Sequence, residues 1–140
     1  MYNFSDIDKK LIKACLDVKA NAYVPITDFK VGAAILADDG EIYTGTNIET
    51  MTLAPSICAE RNAIYGAMAR GVRKFSKIAV CGDYDFTFPC GVCRQVIYEL
   101  SPDATVFLVK SEAEVEVYNI KDLLPHGFRL EEEWKADLQI

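Results

Sequence analysis

Two short, separated stretches combine three cysteines with one glutamate and constrain this chain more than any other feature. The first is Cys58-Ala59-Glu60 and the second is Pro89-Cys90-Gly91-Val92-Cys93. Three thiolates can hold a zinc ion and leave its fourth position open, as catalytic zinc sites require. A structural site would carry a fourth Cys or His close to Cys58, where this chain carries Glu60. The pattern therefore predicts a catalytic zinc centre with a proton-transferring carboxylate beside it.

The cysteines leave other interpretations open when they are taken singly. Cys90-x-x-Cys93 alone also fits a redox pair or half of a structural zinc site. The chain has five cysteines, an odd number that suits metal binding better than a framework of disulfides. Cys15 and Cys81 stand in apolar segments, where free thiols are usually buried, and we expect both in the core.

Helical and strand patterns alternate along the chain and predict an α/β sandwich. A length of 140 residues with 51% hydrophobic composition predicts one domain over residues 1–140. The predicted helices cover about 5–20, 57–71 and 90–100, and the predicted strands cover 31–36, 41–46, 77–81, 105–109 and 115–118. Both cysteine stretches then fall at the start of a helix, where the partial positive charge lowers the pKa of a thiol. The acidic run Glu131–Glu133 is predicted to be a solvated helix face.

The charge of the chain limits its partners. The net charge is −6, because 15 Lys and Arg are outnumbered by 21 Asp and Glu. This balance argues against a protein that binds nucleic-acid backbones. The sequence contains no apolar run of about 18 residues, the length that crosses a membrane, and its first ten residues lack the apolar core of a signal peptide. We expect a cytoplasmic protein with a small ligand and with neither nucleic-acid nor membrane partners.

The cysteine pattern and several other blocks resemble a known family. Zinc deaminases carry His/Cys-x-Glu followed by Pro-Cys-x-x-Cys, and both halves are present here. The chain resembles the small homotetrameric cytidine deaminases, relatives of the blasticidin S deaminases, in five separated blocks: residues 23–34, 44–49, 57–61, 89–95 and 123–128. The resemblance implies a three-layer α/β/α fold with a five-stranded mixed sheet between helices. It also implies a homotetramer with active sites at the subunit contacts.

The resemblance implies a reaction and its central residues. The reaction is hydrolytic deamination of cytidine and 2′-deoxycytidine to uridine and 2′-deoxyuridine with release of ammonia, a step of pyrimidine salvage. One zinc ion per subunit would be held by Cys58, Cys90 and Cys93, and Glu60 would shuttle protons. Three thiolates and Zn²⁺ sum to a charge of −1, so a nearby cation is needed if the metal is still to acidify water.

Three polar residues next to the ligands are candidates to support the metal centre. Arg61 and Arg94 are adjacent in sequence to the predicted ligands, and we expect at least one of them to donate a hydrogen bond to a thiolate. Gln95 lies in the same block and is expected to support the centre from outside the ligand set.

The substrate contacts are also carried over from the resemblance. Phe29 matches the aromatic residue that stacks on the base, and Asn47 and Glu49 match the pair that binds the ribose hydroxyls. Backbone groups around Ala59 would contact the base. Phe128 matches an aromatic residue that closes a pocket from a neighbouring subunit. Without the resemblance, Phe29 and Phe128 would be interpreted as core residues. Asn47 and Glu49 would be interpreted as polar residues of a solvated loop.

The substrate is less constrained than the reaction. Where the family commonly has tyrosines this chain has Ile26 and Leu53, and Thr50 stands where the family commonly has Asn. A site that changes its polar groups usually changes the substrate it accepts. The alternatives are therefore a deaminase of a modified cytosine nucleoside such as blasticidin S or of another amino-heterocycle, and an inactive zinc-stabilised binding module. Editing of bases within nucleic acid is a further alternative that the acidic charge opposes.

Overall fold

The computed structural model describes residues 1–130 and Leu138, so the acidic run at 131–133 lies outside the described residues. The helices within these residues are α1 Asp6–Val18, α2 Ala59–Met68, α3 Gly91–Leu100 and α4 Ile120–Leu123. The strands are β1 Gly32–Ala37, β2 Ile42–Thr46, β3 Phe75–Cys81, β4 Thr105–Val109 and β5 Val115–Asn119. A short 3-10 turn, Lys19–Asn21, follows α1.

Local signals in the sequence account for most of these elements. The start of α1 carries a capping box, in which the Ser5 hydroxyl accepts the Asp8 N–H at 3.3 Å and the Asp8 carboxylate accepts the Ser5 N–H at 3.0 Å. The one-turn helix α4 was not predicted. Its start is capped by Asn119, whose side-chain oxygen accepts the Lys121 N–H at 3.0 Å.

The strands form one mixed sheet in the order β2-β1-β3-β4-β5. β1 pairs antiparallel with β2 and with β3, β3 pairs parallel with β4, and β4 pairs antiparallel with β5. The predicted five-stranded mixed sheet is therefore confirmed.

Helices cover both faces of the sheet. Neighbouring residues of a strand face opposite sides, so Ala34 packs with α1 while Ala33 and Ile35 pack with α2 and α3. Cys15 of α1 and Cys81 of β3 are both buried between α1 and the sheet, as expected. The three-layer α/β/α arrangement is confirmed. No helix in the described part of the chain has the length and apolarity needed to span a membrane.

The sheet order brings three connecting segments to one edge. The register pairs Gly32, the first residue of β1, with Thr46 at the end of β2 and with Cys81 at the end of β3. The segment before β1 therefore lies beside the segments that follow β2 and β3. The segments that follow β2 and β3 lead into α2 and α3, and the metal motifs lie at the starts of these two helices. Residues far apart in sequence are thus assembled at this edge.

Gly45 of β2 allows α2 to lie directly against the sheet. A Cβ added there would meet the backbone N of Ala63 and would lie 2.7 Å from the carbonyl oxygen of Ala59. We expect Gly45→Ala to lower the free energy of unfolding by about 1–3 kcal/mol, because backbone atoms cannot move aside as a side chain can. Gly66→Ala is the matched control, since an added Cβ at that helical position meets nothing within 4 Å. The control should stabilise by up to about 1 kcal/mol. Urea unfolding measures both, and equal stability of the two variants would contradict this packing.

Candidate active site

The three predicted ligand cysteines come together at this edge of the sheet. Cys58, Cys90 and Cys93 place their sulfur atoms within 4.8 Å of one another, and among the described residues they form the single Cys, His, Asp and Glu cluster able to hold a metal. The Cys58 and Cys90 sulfurs are 3.8 Å apart. Tetrahedral zinc with Zn–S bonds of about 2.3 Å places two coordinating sulfurs about 3.8 Å apart. The donor set therefore fits a zinc ion in both chemistry and spacing.

Two of these cysteines occupy the N-cap positions of the helices. Cys58 precedes α2 and Cys90 precedes α3, each with extended backbone angles and with no side-chain capping hydrogen bond. N-cap residues are usually Ser, Thr, Asp or Asn, which bond to the free N–H groups of the first turn. Here the thiols leave that role unfilled, and the positive ends of both helices point toward the sulfur cluster. Negative charge on the sulfurs is stabilised as a result.

The surroundings of the cluster favour the thiolate form of Cys58. The pKa of Cys58 is lowered to about 5, because hydrogen bonds from Cys93, Arg61 and Cys90 favour its thiolate and outweigh the opposing effect of burial. The pKa of the Cys93 thiol is raised, first because it bonds to the Cys58 thiolate and then because it is buried. Ionising Cys93 beside the Cys58 thiolate therefore requires a further positive charge, which a divalent cation supplies.

Glu60 is a buried carboxyl group in the first turn of α2. Only 3% of the residue is exposed. Burial raises the pKa of this carboxyl above its ordinary value, against the lowering effect of hydrogen bonds from its own backbone and from Cys93. A carboxyl whose pKa is moved toward neutrality can both accept and release a proton, as a general acid–base requires.

The two arginines beside the ligands make different contacts. Arg61 donates from Nη2 to the Cys58 sulfur at 3.4 Å, so the expected arginine–thiolate hydrogen bond is present at this residue. Arg94 donates to the carbonyl oxygens of Pro89 at 2.7 Å and Leu123 at 2.8 Å. Arg94 therefore ties the start of α3 to the end of α4, whereas Arg61 places its charge beside the sulfur cluster.

Asn47 and Glu49 hold the segment that carries Phe29. The Asn47 side chain accepts the Val31 N–H at 2.8 Å and donates to the Phe29 carbonyl at 2.8 Å. Glu49 accepts the N–H of Thr27 at 3.0 Å and its hydroxyl at 2.8 Å. Hydrogen bonds from the Thr27 backbone, and then from its hydroxyl, lower the pKa of Glu49 against the effect of burial, so Glu49 is an anion at neutral pH. The three substrate-binding candidates in this region thus form one connected unit.

Two other candidates are placed by α2 and α3. Ala59 is buried and is the first residue of α2, so its N–H has no acceptor within the helix. The Phe128 carbonyl accepts a hydrogen bond from Gln95 of α3 at 2.8 Å. Phe128 is 67% exposed and so is not part of the core of its own chain.

Sequence reasoning did not identify several residues that support this unit. Asp83 and Lys19 pair at 3.1 Å, and the Asp83 carboxylate also accepts the Lys30 N–H at 2.6 Å. The Tyr84 ring lies 5.6 Å from the Phe29 ring, centroid to centroid. An acidic residue just after a strand is a weak signal for such a role, because most such residues are solvated.

Comparisons with known proteins agree with this geometry. The family model for the cytidine and deoxycytidylate deaminase zinc-binding region matches residues 5–109. A cytidine deaminase from Sporosarcina psychrophila is 41% identical over 126 residues, which cover 89% of this chain and 93% of that protein. A cytidine deaminase from Halalkalibacterium halodurans is 40% identical over 124 residues, covering 87% and 94%.

A solved structure gives the same result for the fold. The crystal structure of cytidine deaminase from Burkholderia pseudomallei matches with a TM-score of 0.81 at 39% identity, covering 89% of this chain and 100% of that chain. The resemblance inferred from the motif blocks is therefore confirmed in sequence and in architecture. The chain is a member of the zinc-binding cytidine and deoxycytidylate deaminase family, whose enzymes are hydrolytic.

Proposed function

We propose that this protein hydrolyses cytidine and 2′-deoxycytidine to uridine and 2′-deoxyuridine and releases ammonia. The observation that carries the proposal is the buried Glu60 beside three clustered thiols that fit zinc. Relatives about 40% identical over most of the chain are cytidine deaminases, which supports the same reaction. The overall change breaks the bond between C4 and its amino nitrogen and forms a C4 carbonyl with oxygen from water.

The proposed mechanism assigns the proton transfers to Glu60. A zinc ion held by Cys58, Cys90 and Cys93 would lower the pKa of a water molecule and so supply a nucleophile near neutral pH. Glu60 takes the proton of that water and delivers it to N3 of the ring, and a second transfer through the same carboxyl protonates the departing amine. Burial suits Glu60 to this role, because the raised pKa lets the carboxyl hold a proton between the two transfers.

The proposed binding groups surround the base and the sugar. The Phe29 ring stacks on the cytosine, and the free backbone N–H of Ala59 bonds to the base. Asn47 and the anionic Glu49 bind the ribose hydroxyls, and their existing bonds to residues 27–31 fix their orientation beforehand. The supporting roles of Arg61, Arg94 and Gln95 are part of the same proposal, and each of them already holds a ligand or a segment near the site.

The proposed assembly is a homotetramer with one zinc ion per subunit and with active sites at the subunit contacts. Large apolar side chains are exposed near the site, which supports burial by a neighbouring copy: Tyr23, Met51, Leu53 and Phe128. All five cysteines are free thiols, which supports a location in the reducing cytoplasm. Pyrimidine salvage is the proposed setting, because the products are uracil nucleosides.

The Thr50 hydroxyl, in a segment unlike the family pattern, favours a second candidate substrate. Residues 50–53 depart from the common family pattern, and Leu53 has a positive φ of 65° and is 64% exposed. The Thr50 hydroxyl is buried and has no hydrogen-bond partner within the described residues. An unpaired buried hydroxyl near the sugar-binding pair suits a ligand with an additional polar group, such as a modified cytosine nucleoside like blasticidin S.

The test of the proposed function is a substrate panel with zinc-loaded protein. Ammonia release is followed with cytidine, 2′-deoxycytidine, cytosine, cytidine monophosphate and blasticidin S. We expect turnover of the two nucleosides to exceed that of every other compound by about tenfold or more, since the unmodified sugar matches the polar pair. Preference for blasticidin S would transfer the proposal to the second candidate. No turnover of any compound by protein with full zinc content would indicate a binding module.

A further inference from the structure

Asp83 holds the backbone next to Phe29 from the side of the metal loop. Its Oδ2 atom accepts the Lys30 N–H at 2.6 Å, a short hydrogen bond to a carboxylate acceptor. Lys30 directly follows Phe29, so this bond limits where the aromatic ring can lie. Asp83 itself stands at the start of the segment that leads from β3 to Cys90.

Hydrogen bonds to Asn47 hold residues 29–31 from the opposite side. Asn47 accepts the Val31 N–H and donates to the Phe29 carbonyl. The backbone of residues 29–31 is therefore held by Asn47 from the β2 side and by Asp83 from the β3 side. Bonds to Asn47 or to Asp83 alone would hold this backbone on one side only. The two together also restrict rotation of the segment 29–31.

The Phe29 ring also contacts the loop that carries Asp83. A Cβ added at Gly82 would lie 2.8 Å from Cζ of Phe29, so the ring packs against this backbone. Tyr84 places its ring 5.6 Å from the Phe29 ring at an interplanar angle of 35°. Asp83 thus stands between two residues that contact the Phe29 ring.

Lys19, which forms an ion pair with Asp83, contributes less to holding Asp83 in place than the Lys30 N–H does. Its ammonium lies 3.1 Å from Oδ1 of Asp83 and donates to the Gly82 carbonyl at 3.3 Å. About a quarter of each side chain is exposed, at 26% for Lys19 and 25% for Asp83, so solvent weakens this ion pair. Accepting the Lys30 N–H is therefore the more important function of the Asp83 carboxylate.

We propose that Asp83 is a positioning residue for substrate binding, which orients Phe29 through the Lys30 N–H and joins it to the metal loop. This inference rests on the proposed function, in which Phe29 stacks on the base. Asp83 touches neither the substrate nor the thiol cluster in this proposal. Its loss should therefore raise KM and leave kcat and zinc content nearly unchanged.

The test compares Asp83→Ala with Asp83→Asn, which keeps an acceptor oxygen for the Lys30 N–H but loses the charge. We expect Asp83→Ala to raise KM for cytidine about tenfold and to change kcat less than about threefold. Asp83→Asn should keep KM within about threefold of the wild type. Asp85→Ala is the matched control, because Asp85 lies on the same loop, is exposed and is not assigned to the site.

Hydrogen exchange provides a measurement that does not depend on turnover. Amide exchange in peptides that cover residues 29–31 should become about tenfold faster in Asp83→Ala and stay near the wild-type rate in Asp83→Asn and Asp85→Ala. Should Asp83→Ala fail to fold, Asp83→Ser serves instead, because its shorter hydroxyl does not reach the Lys30 N–H.

The outcomes separate this inference from the proposed function. Faster exchange together with a raised KM, rescued in Asp83→Asn, supports the positioning role. Unchanged exchange, an unchanged KM, or loss of zinc from Asp83→Ala would overturn it. If wild-type protein with full zinc content does not turn over cytidine, the proposed function fails, and the exchange measurement still decides whether Asp83 fixes this backbone.

Discussion

Glu60→Gln is expected to retain the metal and to lose nearly all turnover. The amide has almost the same size as the carboxyl, so the first turn of α2 and the thiol cluster should keep their geometry. The glutamine amide cannot accept a proton from water and transfer it to the ring. Positioned acid–base groups contribute roughly 10²–10⁴-fold to rates, so we expect kcat to fall by about this factor. Steady-state ammonia release and zinc analysis of the same sample measure the two effects.

The matched control for Glu60→Gln is Glu99→Gln on α3, an exposed carboxylate on the other helix that begins at a ligand cysteine. It should behave as the wild type in kcat and in zinc content. A metal-loaded Glu60→Gln protein with normal turnover would remove Glu60 from the mechanism. Loss of zinc from this variant would instead assign the carboxyl to metal retention.

Much of the fold followed from patterns within short windows of the sequence. The apolar periodicity of α1 and its Ser5–Asp8 capping box predicted that helix, and the apolar runs predicted all five strands to within about two residues. The helices at the metal site began one or two residues later than predicted, at Ala59 and Gly91. Cysteines fill the N-cap positions there, and the usual capping preferences do not describe a residue selected for metal binding.

The position of the active site depended on contacts that no local pattern contains. Gly32 pairs with both Thr46 and Cys81 only because β1 lies between β2 and β3. The sequence alone does not state that order, and the family resemblance implied a five-stranded mixed sheet without the order of its strands. The metal ligands could be named from spacing, since Cys-x-Glu and Cys-x-x-Cys carry their chemistry within a few residues.

The bonding partners of most supporting residues could not be predicted, for the same reason. Asp83 bonds to a backbone group 53 residues earlier in the chain, and Arg94 bonds to a carbonyl 29 residues later. Backbone atoms are the same at every position, so a side chain that recognises them leaves no matching signal in the sequence. Arg61 differs, because its partner Cys58 is three residues away on the same helix turn.

Arg61→Met is expected to weaken zinc binding by about 10- to 100-fold, the usual cost of losing a group that bonds to a metal ligand. Methionine keeps much of the volume of the side chain and removes its charge and its donors. Three thiolates and one Zn²⁺ carry a net charge of −1, which the guanidinium 3.4 Å from the Cys58 sulfur offsets. Competition with a chromophoric chelator measures the zinc affinity.

The effect of Arg61→Met should depend on pH, and its sign follows from the thiols. Ligand thiols must lose their protons to bind a metal, and Arg61 favours the ionised form of Cys58. Without Arg61 the pKa of Cys58 rises, so the loss of affinity should be larger at about pH 6 than at about pH 8. Arg70→Met, which removes an exposed arginine just beyond the end of α2, is the control and should bind zinc as the wild type does. Equal affinities of the two variants at both pH values would show that the helix N-termini alone stabilise the three thiolates.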